Sequence, residues 1–124
     1  MSTLTVTNIK ATGETASRSA TGVAAAWVNL NGTGTIAARD SLNVSSLTDN
    51  GTSDYTVNFT SAFANGNYCA TGLINGEGGG SVMAPFQSSR AALVGSHTME
   101  TRRTDTFNPK DSGDVNYAYF GDLA

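Results

Sequence analysis

The segment from Tyr55 to Phe59 places an apolar residue at every second position, and Asp49-Asn50-Gly51-Thr52 stands immediately before it. A period of two is satisfied only by a half-buried strand, and Asn-Gly is the strongest short signal for a chain reversal. The pattern predicts a hairpin with Leu42-Asn43-Val44 on one arm and Tyr55, Val57 and Phe59 turned to the core on the other. The same alternation returns at Val115-Asn116-Tyr117-Ala118-Tyr119-Phe120, which predicts a closing strand with Val115, Tyr117 and Tyr119 on one face. Between these anchors lie further short strand candidates: Val23 to Leu30, Thr35 to Asp40, Tyr68 to Ile74, Val82 to Phe86, Ala91 to Val94 and Met99 to Phe107. Asn31-Gly32-Thr33-Gly34 reads as the turn after the first of them. About nine or ten strands at roughly 8 to 12 residue spacing predict an all-β, compact antiparallel sandwich or jelly-roll-like module.

Composition favours the same class. Thr, Ser, Asn and Gly number 17, 13, 11 and 14 in 124 residues, a balance that suits pleats and turns and disfavours helices. The length fits one domain. Residues 1–22 read as an N-terminal strand and arm for attachment or inter-subunit contact, because Leu4 to Lys10 alternates weakly and Ala11 to Ala20 is small, polar and aperiodic. Residues 23–124 read as the sandwich domain.

Several function classes are disfavoured by the inventory. The net charge of −3 and the scattered basic residues, apart from the pair Arg102 and Arg103, give no stripe to follow a phosphate backbone, so nucleic acid is not an expected partner. No apolar run approaches membrane-spanning length, so membrane insertion is not expected. Met1 to Asn8 has no basic or apolar leader pattern, so synthesis without a secretory signal is expected. The single cysteine, Cys69, cannot form an internal disulfide and is expected to be a small buried strand residue. Four Asn-x-Ser/Thr triplets, beginning at Asn31, Asn43, Asn50 and Asn58, read as strand and turn chemistry rather than glycosylation signals.

No catalytic, cofactor or metal constellation stands out. His97 is the only histidine and lies in the turn-like Gly95-Ser96-His97-Thr98, with no Gly-x-Ser-x-Gly elbow in the chain. Asp49 and Asp54 miss the spacing of a calcium loop, and Asp49 and Asn50 are expected to bond within their own turn. Gly76 to Gly80 lacks the Lys-Ser/Thr ending of a phosphate loop. Trp27, Tyr68, Tyr117 and Tyr119 would stack on sugar rings if exposed, but residues of this kind are more often core or interface anchors. Contact loops are expected at the glycine-rich tip with Glu77 and Gly78, at a turn with Ser88 and Arg90, and at His97. The small strand residues Ala24, Ala25 and Ala26 are expected to pack against another chain.

Longer runs carry a resemblance. Ala26-Trp27-Val28-Asn29-Leu30-Asn31-Gly32-Thr33-Gly34-Thr35, then Ser41 to Thr52, then Asp54-Tyr55-Thr56-Val57-Asn58-Phe59-Thr60, together with Asn67-Tyr68-Cys69 and Asp114 to Gly121, resemble a β-domain that recurs in bacteriophage tail-fibre and other phage structural proteins. The resemblance covers roughly residues 23 to 121. It implies a virion component, homotrimeric, without catalytic residues, at the distal or outer surface of the particle. Its implied partners are its own copies, other virion proteins and, as a candidate, host-surface glycan. Relatives of this kind carry the domain after a long shaft, whereas here about 22 residues precede it, which raises the expectation of a short spike or fibre tip. The alternative expectation is a capsid decoration or head-fibre protein that stabilises the shell.

Overall fold

The computed structural model describes residues 1–10, 12–75 and 83–124 and, for residue 18 and residues 83–91, the backbone alone. Ten strands form among the described residues: β1 (Asn8–Ile9), β2 (Arg18–Ser19), β3 (Ala26–Asn31), β4 (Ala37–Leu42), β5 (Val44–Gly51), β6 (Asp54–Phe59), β7 (Cys69–Ile74), β8 (Met83–Leu93), β9 (Ser96–Arg103) and β10 (Val115–Phe120). Two antiparallel four-stranded sheets, ordered β4-β3-β10-β7 and β5-β6-β9-β8, pack as a sandwich, and β1 and β2 pair separately. The expectation of an all-β sandwich holds.

Alternation selects what lies between the sheets. Ala26, Val28 and Leu30 of β3 and Val115, Tyr117 and Tyr119 of β10 face Tyr55, Val57 and Phe59 of β6 and Met99 of β9, and all are buried. The register of β6 against β9 pairs Tyr55 with Met99 and Val57 with His97, so the second sheet turns the odd-numbered residues of both strands inward. At one end Phe59, Phe63, Tyr68 and Tyr119 form an aromatic cluster in which Phe59 is edge-to-face with the other three, 5.0 Å from both Phe63 and Tyr119, and Phe63 stacks on Tyr68. Such pairs add about 0.5–1.5 kcal/mol each beyond area burial.

The route between sheets differs from the sequence expectation at one informative place. Leu42-Asn43-Val44 is not a continuous arm: Asn43 adopts φ 56° and turns the chain from β4 in one sheet to β5 in the other. Asparagine tolerates this left-handed conformation, and its side chain fixes the corner. Its Nδ2 donates to the carbonyls of Ala25 (3.2 Å) and Ser61 (3.1 Å), and its Oδ1 accepts from Ser61 N–H at 2.7 Å. The reversal at Asp49 to Thr52 forms as expected, with Asp49 Oδ1 accepting from Gly51 N–H at 2.9 Å.

Where two strands are expected, over Val82–Phe86 and Ala91–Val94, the described residues Met83–Leu93 form one strand, β8, whose register against β9 shifts between Gln87 and Ala92. The backbone of Ser88 and Arg90 therefore runs in a strand rather than a turn, while Glu77 and Gly78 lie outside the described residues. Near the N-terminus Asn8 and Ile9 pair with β2 and Thr7 O accepts from Ala20 N–H at 2.9 Å, while Leu4, Val6 and Ile9 are all exposed. A short helical turn follows β2 at Ala20–Gly22, capped by Ser19.

Candidate functional site

On the outer face of β5, β6 and β9, among the described residues, hydroxyls and amides are bonded across strands, beside the Glu100–Arg102 ion pair. Thr56 and Thr98 hydroxyls meet at 2.8 Å, and Asn58 Nδ2 donates to Ser46 Oγ and Thr48 Oγ1 at 3.1 Å each. Outward positions of the β4-β3-β10-β7 sheet instead include Leu42, Trp27, Ala118 and Thr71, which lie in one row by register. The next row along carries Asp40, Asn29, Asn116 and Leu73.

Side-chain size cuts a shallow depression into that face. Trp27 on β3 is followed across the sheet by the small Ala118 and Thr71, so the indole stands above its neighbours. Beneath lies Gly72, whose missing side chain leaves room for the inward Tyr117 ring: a Cβ there would come within 2.5 Å of Tyr117 Cε2. The depression holds about 340 Å³ and is lined by Trp27, Thr71, Leu73, Asn116 and Ala118, with Val28, Gly72 and Tyr117 below. Trp27 is part-buried, Leu42 is 47% exposed and Leu73 77% exposed.

A polar network abuts this apolar shelf. Asn29 Nδ2 donates to Asn116 Oδ1 at 2.5 Å and to Asp114 Oδ1 at 3.1 Å, and Asn116 Nδ2 donates to Asp114 Oδ1 at 3.0 Å. The register of β3 against β4 shifts between Asn29 and Leu30, leaving Arg39 as an extra residue between Asp40 and Ala38. Bulges re-aim side chains. Here the guanidinium is turned onto the network, where Nη1 donates to Asn29 Oδ1 (3.2 Å) and Leu30 O (3.1 Å) and Nη2 to Gly113 O. Arg39 Nη1 and Asp114 Oδ1 stand 3.7 Å apart with both side chains about half exposed, so this pair orders the surface more than it stabilises the fold.

The sequence-expected site residues are distributed differently. His97 is not a surface contact: it is 2% exposed, facing inward from β9, with its ring among Tyr68, Tyr117 and Tyr119 and Nδ1 3.4 Å from Tyr119 Oη. Burial lowers its pKa to about 4. Ala26 is likewise not an oligomer contact, because it is fully buried in its own core; Ala25 packs partly against that core and donates its N–H to Tyr119 O, and Ala24 is part-buried. Cys69, expected inside, is exposed at the start of β7. Of the four aromatic residues considered for stacking, Tyr68, Tyr117 and Tyr119 are core residues, and burial pushes Tyr68 and Tyr117 up to about 12. Only Trp27 reaches the outer face.

No family model matches the chain, and neither comparison with curated proteins nor comparison with solved structures finds a similar protein. Site chemistry is therefore read from the residues themselves. Among the described residues no group of three or more His, Cys, Asp or Glu is placed to hold a metal ion, and no helix is long and apolar enough to cross a membrane. Leu42, Leu73, Asn29, Asn116, Asp114 and Arg39 went unremarked as site residues. The alternation of β3 and β10 already placed Asn29 and Asn116 outward beside Trp27, but the cross-strand register and the bulge at Arg39 depend on pairing partners distant in sequence.

Proposed function

We propose that the chain is a non-enzymatic structural module of a bacteriophage virion, of tail-fibre or spike type, that assembles as a homotrimer and attaches to a host-surface glycan. The observation that carries attachment is the outer face of the β4-β3-β10-β7 sheet, where Trp27 and the exposed Leu42 and Leu73 stand beside the hydrogen-bonded Asn29, Asn116 and Asp114. Exposed apolar groups set beside ordered polar ones mark binding surfaces. The virion assignment draws on the resemblance of Ala26–Thr35, Ser41–Thr60 and Asp114–Gly121 to phage structural β-domains. Attachment by a rigid sandwich needs no acid–base pair, and burial removes the single histidine from solvent.

A second reading, a capsid decoration protein, is favoured by one observation. Leu4, Val6 and Ile9 are exposed on an arm that is bonded to its own chain at Thr7, Asn8 and Ile9, as an arm that gains order on a neighbouring shell protein would be.

Cryo-electron microscopy of purified particles labelled with an antibody fragment against this chain separates the readings. Label at the tail or spike tip is expected. Label across the capsid lattice would replace attachment with decoration, and particles without label would overturn both.

A further inference from the structure

The outer face of the β4-β3-β10-β7 sheet differs from an ordinary unpartnered surface in having its apolar and polar parts set side by side and its polar part held in place. Residues two apart on one face of a strand lie about 6.8 Å from each other, roughly the span of one sugar ring. Trp27 and Asn29 stand at that separation on β3, and Ala118 and Asn116 on β10. A pyranose has matching chemistry: a C–H face that rests on an aromatic ring and a rim of hydroxyls that both donate and accept.

From this juxtaposition we infer a carbohydrate site in which a neutral pyranose stacks on Trp27 over the small Ala118 and Thr71, with its hydroxyls meeting Asn116 and Asp114. Asn116 lines the depression directly and ties it to the network. Every hydrogen bond described to the Asp114 carboxylate falls on Oδ1, which places Oδ2 as the acceptor that a ligand hydroxyl can meet. Arg39 holds Asn29, and Asn29 holds Asn116 and Asp114, so the polar groups are ordered before a ligand arrives and less entropy is lost on binding. A second copy of the chain is the poorer occupant. A flat protein face seated on the apolar shelf would also cover the half-exposed Arg39 and Asp114 and strip their water, whereas sugar hydroxyls replace that water with hydrogen bonds. This site deepens the attachment reading and rests on it for the biological source of the sugar, though not for the chemistry.

Trp27 is the only tryptophan, so its fluorescence reports on this face alone. Titrating the full chain with methyl glucopyranoside, methyl galactopyranoside and methyl N-acetylglucosaminide is expected to give a saturable change in emission with at least one of them. Asp114→Asn and Asn116→Ala keep the reporter and are expected to weaken that binding by about tenfold or more, as loss of a hydrogen bond involving a charged group does. Calorimetry is expected to show weakened binding for Trp27→Phe and none for Trp27→Ala, with melting curves confirming that each variant is folded. Unchanged emission with all three sugars overturns the site, as does binding that is indifferent to Asp114→Asn and Asn116→Ala. Emission that instead changes with protein concentration, together with sedimentation of a larger species, overturns it in favour of a second copy. Particle labelling reads the attachment role separately. Labelled tails without sugar binding sink this site and leave attachment standing, while sugar binding with unlabelled particles leaves the site and sinks the virion role.

Discussion

His97 is the residue whose surroundings have the most direct consequence in solution. Unfolded, it takes a proton near its ordinary pKa of 6.5; folded among three tyrosine rings, it does so only near 4. Between those values the unfolded chain binds more protons, so stability falls as pH drops from 6.5 toward 4, and the loss is complete below 4. The shift corresponds to about 3 kcal/mol. Urea unfolding at pH 7 and pH 4.5, compared with His97→Gln, is expected to show that the variant loses less stability over this interval; equal losses would place the pH sensitivity elsewhere. Gly72 is a second such position. A methyl group there meets Tyr117 at 2.5 Å and the Asn116 carbonyl at 2.7 Å, so Gly72→Ala is expected to lower stability by about 1–3 kcal/mol and to reshape the depression above it. A melting temperature equal to the parent's would show that the ring moves aside freely.

Element by element, what could be read from the sequence followed burial. Strands β3, β6 and β10 were legible because each has one buried face, with burial alternating residue by residue, and a one-residue slip would expose the whole apolar set. The corner at Asn43 was hidden because Leu42-Asn43-Val44 has the alternation of a strand, and only the bonds from Asn43 to Ala25 and Ser61, each 18 residues away, reveal the turn. His97 was misplaced for a related reason: the turn is Val94-Gly95, β9 already begins at Ser96, and pairing with Val57 on the neighbouring strand fixes His97 inward. Within the site, Trp27 was visible as an aromatic of interest, whereas the depression beside it depends on Ala118 and Thr71 lying opposite by register. The inward register of β6 makes a sharp prediction. Phe59→Ala, which removes a ring packed against Phe63, Tyr68 and Tyr119, is expected to cost about 3–5 kcal/mol, while Leu4→Ser on the exposed arm changes stability by less than about 0.5 kcal/mol. Chemical denaturation of both variants checks the contrast, and similar shifts would contradict the register.

At the scale of the molecule, the chain buries one aromatic-rich core between two sheets, links β5, β6 and β9 through outward hydroxyls and amides, and sets Trp27 beside an ordered polar network on the other sheet. Homotrimeric assembly follows from the virion proposal and would multiply a weak single site through multivalency. Equilibrium sedimentation at micromolar concentration is expected to give a trimer, and a stable folded monomer would remove that part of the proposal. Binding without chemistry is the central claim, and incubation with host polysaccharide tests it most directly, with retention on the polysaccharide and newly released reducing ends measured on the same samples. Retention that falls for Trp27→Ala, with no increase in reducing ends over time, is the predicted result. Reducing ends that accumulate in proportion to protein would contradict the account and make the chain a depolymerase.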